Sequence, residues 1–224
     1  MRTADTAATF AFVDLAGFTA VTEAHGDRHA VAILHAFRAR VEDVLGPCDE
    51  LVKTIGDAVM LRFRSPADAV VALRRLFEHE ISADDAVLLP RAGAHHGAAV
   101  HLEGDYYGAA VNLASRVAGH AGAGELLVTT EVASAAQELG SVITHLGTPA
   151  LRNVAESVDL WKVHVDTGTQ DVATDPVCQM LVTTGDAHTI TLDWHGRRHH
   201  FCGLPCVARF AKAPSSYLPE PVAI

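Results

Sequence analysis

The 224-residue chain is 49% hydrophobic and 20% charged, which is long enough for one or two cored domains and too apolar to be disordered. Its 17 basic and 27 acidic residues give a net charge of −10, which argues against a broad nucleic-acid or anionic-membrane surface, because both need clustered Lys and Arg. No uncharged apolar run approaches ~20 residues, and the N-terminus lacks the basic start and apolar stretch of a secretion signal. A cytoplasmic protein with no nucleic-acid or membrane partner is therefore expected.

In chain order, residues 9–15 (TFAFVDL) read as a buried strand ending in an acid. Asp27 caps a helix through Leu45, with Val31, Leu34, Phe37, Val41 and Leu45 at helical spacing. Residues 51–55 and 58–63 read as a hairpin around Gly56-Asp57. Ser65-Pro66 starts a second helix, with a capping residue followed by Pro at the first helical position. Residues 91–102 read as strand with a turn near Gly97, and 111–118 as helix. Strand 126–129, helix 131–138 and strands near 142–146 and 158–164 follow. Strands interleaved with helices indicate an α/β layered domain. Residues 166–174, small and polar, read as a linker to a short module over 175–220 that holds three of the four cysteines. Residues 1–165 carry net −8 and the remainder −2, so the acidity belongs mainly to the first domain.

Three segments of that domain carry chemistry. Asp14 and Asp57 stand at strand ends, where paired carboxylates suit Mg²⁺ and in-line phosphoryl transfer; taken alone, each acid reads rather as a turn or helix cap. Gly17, Phe18 and Thr19 follow Asp14 and open a helix whose N–H groups suit phosphate. Asn112 and Arg116 are four apart, so they share a helix face. They read as a sugar-and-phosphate clamp or as an exposed polar face.

Taken together, F-x-D-L-x-G-F-T, K-T-I-G-D and D-Y-x-G-x-x-V-N-x-A-S-R resemble a class III nucleotidyl cyclase catalytic domain, over about residues 8–165. The resemblance implies an α+β sandwich of the ferredoxin-like, palm-like type and a head-to-tail homodimer with active sites at the interface. It places two Mg²⁺ or Mn²⁺ ions per site on Asp14, Asp57 and the Leu15 carbonyl. It assigns purine selection to Lys53 and Asp105, and ribose orientation and transition-state stabilisation to Asn112 and Arg116. A Lys53 donor facing adenine N1 and an Asp105 acceptor facing N6 select ATP over GTP, because a mismatched edge leaves buried polar groups unpaired. The expected reaction converts ATP to 3′,5′-cyclic AMP and pyrophosphate. The alternatives are a guanylate cyclase and a catalytically weak, nucleotide-binding metal or redox sensor. Two departures stand out. Tyr107 replaces a frequent Trp, and Val154 falls where a triphosphate-binding Lys is usual, with Arg152 a strand shift away.

Cys178, Cys202 and Cys206 offer three soft ligands, one short of a tetrahedral Zn²⁺ site, with His199 or His200 as candidate fourth. Three buried thiols in a small core are the competing reading. D-P-V-C-x-M, F-C-x₃-C and P-x-x-Y-L resemble a YHS domain. The departures from that pattern are Gln179 in place of Gly and His199-His200 in place of aromatic residues. The resemblance implies handling of Zn²⁺ or another thiophilic metal and a regulatory role. The ten histidines of the first domain read as ordinary surface or core residues, and Cys48 as buried.

Overall fold

The computed structural model describes residues 4–78, 88–154, 156–165 and 171–218. They divide into two compact units, one of residues 4–15, 38–78, 90–154 and 156–165, the other of residues 16–37, 88–89 and 171–218.

The first unit is built on a mixed sheet. Its strands are β1 (Ala4–Leu15), β2 (Glu50–Ile55), β3 (Ala58–Phe63), β4 (Pro90–Leu102), β5 (Asp105–Tyr107), β6 (Leu126–Thr129), β7 (Ile143–Gly147) and β8 (Leu160–Val163). The order is β2-β3-β1-β4-β6-β8-β7, with β5 on β4. Only β4 and β6 run parallel among these pairs. The helices of this unit are α3 (Pro66–Phe77), α4 (Ala109–Ala118) and α5 (Thr130–Glu138); α1 and α2 come earlier in the chain and belong wholly or partly to the second unit.

Strand β1 is central and buried on both faces, which is why its sequence reads as a near-continuous apolar run. Ala8 and Phe10 join Met60, Ala99, Ala110, Val111 and Ala114 in one cluster beneath α4. Ala11 and Val13 point the other way and are equally inaccessible. Helix α4 lies so close to β4 that a Cβ on Gly93 would stand 1.9 Å from the Ala118 backbone nitrogen. Ser65 caps α3 as expected, accepting from Asp68 N–H at 3.2 Å.

Four expectations change here. Residues 90–102 form one unbroken strand, with Gly97 paired to Ala8, so there is no turn at Gly97; long pairing with β1 overrides the glycine. Cys48 is exposed because it lies in the turn before β2. Val31 lies on the helical stripe but is 50% exposed. Residues 151–154 form a turn, with Asn153 at φ 60, and not the strand invoked for Arg152.

The second unit holds α1 (Phe18–His25) and the start of α2 (Asp27–Val44). To these it adds two hairpins, β9 (Val172–Thr174) with β10 (Leu181–Thr183) and β11 (Ile190–Trp194) with β12 (Arg197–Phe201), and helix α6 (Leu204–Lys212). Part of the expected linker is therefore strand: Val172–Thr174 pairs with β10, while residues 166–170 lie outside the described residues. The core centres on Phe210, fully buried, with the Phe201 ring 5.1 Å away. Val177, Cys178, Met180, Leu181, Val182 and Cys206 are buried in the same unit.

Candidate functional site

Asp14 is carried by the last turn-ward residues of β1, and Asp57 by the β2–β3 turn. The antiparallel register of β1 with β3 places Val13 opposite Val59, two residues past Asp57, so strand pairing alone brings both carboxylates to one end of the sheet. Asp14 stands near enough for its carboxyl to act on that of Asp57. Burial, followed by the hydrogen bond and charge of Asp14, pushes the Asp57 carboxyl up to about 6. Two carboxylates that repel in this way fit a divalent cation, which relieves the repulsion. Arg91 stands across from Asp14 in the β1–β4 register and donates to it through Nε at 2.9 Å and through Nη2. The sequence motifs gave no signal for Arg91, because its role depends on cross-strand pairing.

Lys53 and Asp105 form a second group. A bulge in β2 between Leu51 and Lys53 re-aims the lysine. The Glu103-Gly104 turn, with both residues at positive φ, folds β5 back on β4 and presents Asp105. Lys53 Nζ donates to Asp105 Oδ2 at 2.5 Å, and Tyr106 N–H donates to the other oxygen at 2.8 Å. Partial burial works to raise the Asp105 carboxyl, but these bonds from Lys53 and Tyr106 hold it below the usual carboxylate range. The two residues expected to read the purine edge thus meet in the folded chain. Lys53 also lies 5.8 Å over the ring of Tyr107, which is half exposed.

Asn112 and Arg116 are exposed on one face of α4, and among the described residues no hydrogen bond or ion pair joins them to the Asp14–Asp57 group. Val154 packs with Val117, Leu127, Leu151 and Leu160, an apolar setting in which a phosphate-binding charge would be out of place. Gly17, at φ 82, starts α1, as the sequence predicts. A Cβ there would meet Gln179 Cβ at 2.5 Å and the Cys178 carbonyl oxygen at 3.4 Å, so Gly17 is required for close packing as well as for its turn.

The cysteines converge in the second unit. Cys178 Sγ lies 3.6 Å from Cys202 Sγ, which lies 3.6 Å from Cys206 Sγ. The fourth group is His25, the last residue of α1, with Nε2 at 3.3 Å from Cys202 Sγ and 3.5 Å from Cys206 Sγ. This corrects the expectation of His199 or His200. The His199 ring instead stacks near Phe210 at 5.5 Å, and His200 Nδ1 meets Thr191 Oγ1 at 3.2 Å across the hairpin. Neither ring joins the cluster. It also corrects the reading of His25 as an ordinary residue. Hydrogen bonds from Cys202 and Cys206 pull the Cys178 thiol down strongly, favouring one thiolate in the group. Gln179 sits at φ 64, a left-handed backbone that ordinarily favours glycine.

Among the described residues, no helix is long and apolar enough to cross a membrane. The solved structures similar to this chain include the adenylyl cyclase CyaB from P. aeruginosa, with a TM-score of 0.62 at 22% identity over 74% of this chain and 97% of that one. They also include the guanylate cyclase domain of RhGC from Catenaria anguillulae, solved with GTP, with a TM-score of 0.63 at 17% identity over 74% and 99%. At these identities the likeness shows the fold: a nucleotidyl cyclase, palm-like mixed sheet. Among curated relatives, a pH-sensitive adenylate cyclase of Mycobacterium tuberculosis is 34% identical over 69% of this chain and 40% of its own length. An uncharacterised protein of the same species is 40% identical over 54% of this chain and 32% of its own length. The chain thus spans only about a third to two fifths of the length of those proteins. The model of the "Adenylate and Guanylate cyclase catalytic domain" family matches residues 2–165, the stretch that holds Asp14, Asp57, Lys53, Asp105, Asn112 and Arg116, and the chain belongs to that family.

Proposed function

We propose that the chain is an adenylate cyclase, converting ATP to 3′,5′-cyclic AMP and pyrophosphate at sites shared between two copies. The observation that carries this reading is the Lys53–Asp105 pair, a donor and an acceptor held side by side in a chain whose Asp14 and Asp57 also meet. Lys53 donates to adenine N1 and Asp105 accepts from the N6 amine; guanine presents the opposite pattern. Asn112 orients the ribose, and Arg116 stabilises charge growing at the α-phosphate. The exposure of both on α4 supports their use by a second copy, in which they would face the partner's carboxylates. Asp14, Asp57 and the Leu15 carbonyl would hold two Mg²⁺ or Mn²⁺ ions, which supply acidification of the ribose 3′-hydroxyl and neutralise the leaving pyrophosphate. The N–H groups of Gly17, Phe18 and Thr19 would receive phosphate oxygens. Gln179 against Gly17 supports regulation by the C-terminal segment, which we read as a YHS-like module.

The purified chain given ATP with Mg²⁺ or Mn²⁺ is expected to form cyclic AMP, and Asp14→Ala to abolish it. Absence of product with either metal, at protein concentrations high enough to dimerise, would overturn the reading. The second reading, a catalytically weak nucleotide-binding sensor, is favoured by the apolar setting of Val154. It predicts nucleotide binding without turnover.

A further inference from the structure

We propose that His25, Cys178, Cys202 and Cys206 bind one thiophilic divalent cation, with Zn²⁺ the favoured occupant, and that this ion ties helix α1 to the cysteine-bearing segment. All four ligand atoms lie within 4.8 Å of one another. A tetrahedron with Zn–S of ~2.3 Å and Zn–N of ~2.0–2.1 Å has S–S edges of about 3.8 Å and S–N edges of about 3.5 Å. The S–S separations of 3.6 Å and the S–N separations of 3.3 and 3.5 Å match those edges closely. A disulfide, with its S–S bond of ~2.05 Å, would leave one thiol and the imidazole without a role; all three cysteines here are free.

The surroundings are built for the same arrangement. Cys178 and Cys206 are fully buried. The equally buried Asp175 accepts from Val177 N–H at 2.8 Å, from Cys178 N–H at 3.4 Å and from Cys202 N–H at 2.9 Å. One carboxylate therefore fixes both ligand-bearing segments, an outer-layer role common at metal sites. Three sulfurs and one imidazole select Zn²⁺ over Mg²⁺ or Ca²⁺, which prefer oxygen. His25 is 177 residues from Cys202 in sequence, so ligation closes a long loop. The same segment already touches the other end of α1, where Gln179 packs on Gly17, and Arg209 of α6 donates to the Glu23 carbonyl between them. The ion would lock α1 at its far end.

The site is independent of the cyclase reading, and so is its test. The 224-residue chain, reduced and stripped with a chelator, is titrated with Zn²⁺ and, in parallel, with Co²⁺. One equivalent is expected, with Co²⁺ giving the visible bands of a tetrahedral centre and a thiolate charge-transfer band. His25→Ala is expected to weaken Zn²⁺ by more than the roughly 10–100-fold that loss of an outer partner costs, and to change the Co²⁺ spectrum. His199→Ala and His200→Ala leave both unchanged. Hydrogen exchange on the parent chain is expected to slow in residues 18–25 and 176–206 together on adding Zn²⁺. Failure to bind a stoichiometric ion, a His25→Ala protein indistinguishable from the parent, or protection confined to the cysteine segments would overturn the proposal.

Discussion

Substituting Gly93→Ala perturbs the packing of α4 without touching any candidate site residue. The new Cβ would stand 1.9 Å from the Ala118 nitrogen and 2.5 Å from both Ala118 Cα and the Val117 carbonyl carbon. Ordinary contact begins near 3.4 Å, so α4 must retreat by about 1.5 Å, and the atoms in the way are backbone, which cannot rotate aside. Overpacking of this kind costs ~1–3 kcal/mol, and backbone contact puts Gly93→Ala at about 2–3 kcal/mol. For a chain of this size each kcal/mol lowers Tm by ~2–4 °C, giving a fall of roughly 4–12 °C. The shift also displaces Asn112 and Arg116, and a misplacement of about 1 Å is enough to lower turnover ~10²-fold. Thermal unfolding followed by circular dichroism, together with cyclic AMP formation at a temperature where the variant is folded, reads both effects. Gly122→Ala is the control, since its Cβ would meet only the movable Glu125 carboxylate at 3.2 Å. A Gly93→Ala protein with parental Tm and parental turnover would refute the claimed proximity of α4 to β4.

Lys53→Glu replaces the donor beside Asp105 with an acceptor. At ~1–3 kcal/mol for a mismatched buried group, kcat/KM for ATP should fall roughly 5–150-fold while the preference moves toward GTP; parallel ATP and GTP kinetics with an unchanged ratio would contradict the assignment. Glu125 is held below the usual carboxylate range by Lys162 Nζ at 2.8 Å and Gly122 N–H at 2.9 Å. A depressed carboxylate stabilises the fold above its unfolded pKa, and that contribution disappears as pH falls through the lower folded value. Glu125→Gln should therefore flatten the acid limb of stability. Urea midpoints measured from neutral pH down through the glutamate range check this, and a parallel decline in both proteins counts against it.

Much of the first unit could be read from residues because its signals are local. Strand β1 is a continuous apolar run, Ser65-Pro66 is a helix start, and Gly56-Asp57 is a turn; each acts within a few residues of itself. The chain-order spacing of Asp14, Lys53, Asp57, Asp105, Asn112 and Arg116 is readable for the same reason: all but Lys53, which lies inside β2, sit at an element end, in a turn or on a helix face. Gly97 departs from its local reading because the long antiparallel pairing of β1 with β4 outweighs composition, and Val172–Thr174 because three residues find a partner strand in β10 that composition does not announce.

What the sequence determined by itself is the family motif set, the mixed α/β class and the three thiols that wait for a partner. What only the tertiary structure decided is which groups meet. Arg91 reaches Asp14 because the β1–β4 register sets them opposite, and His25 reaches Cys202 across 177 residues because α1 packs with α6 in one unit. Periodicity and capping are set by neighbours along the chain. Ligand convergence is set by how distant segments pack, and a histidine at the end of a short helix carries no local mark of the sulfurs it will face.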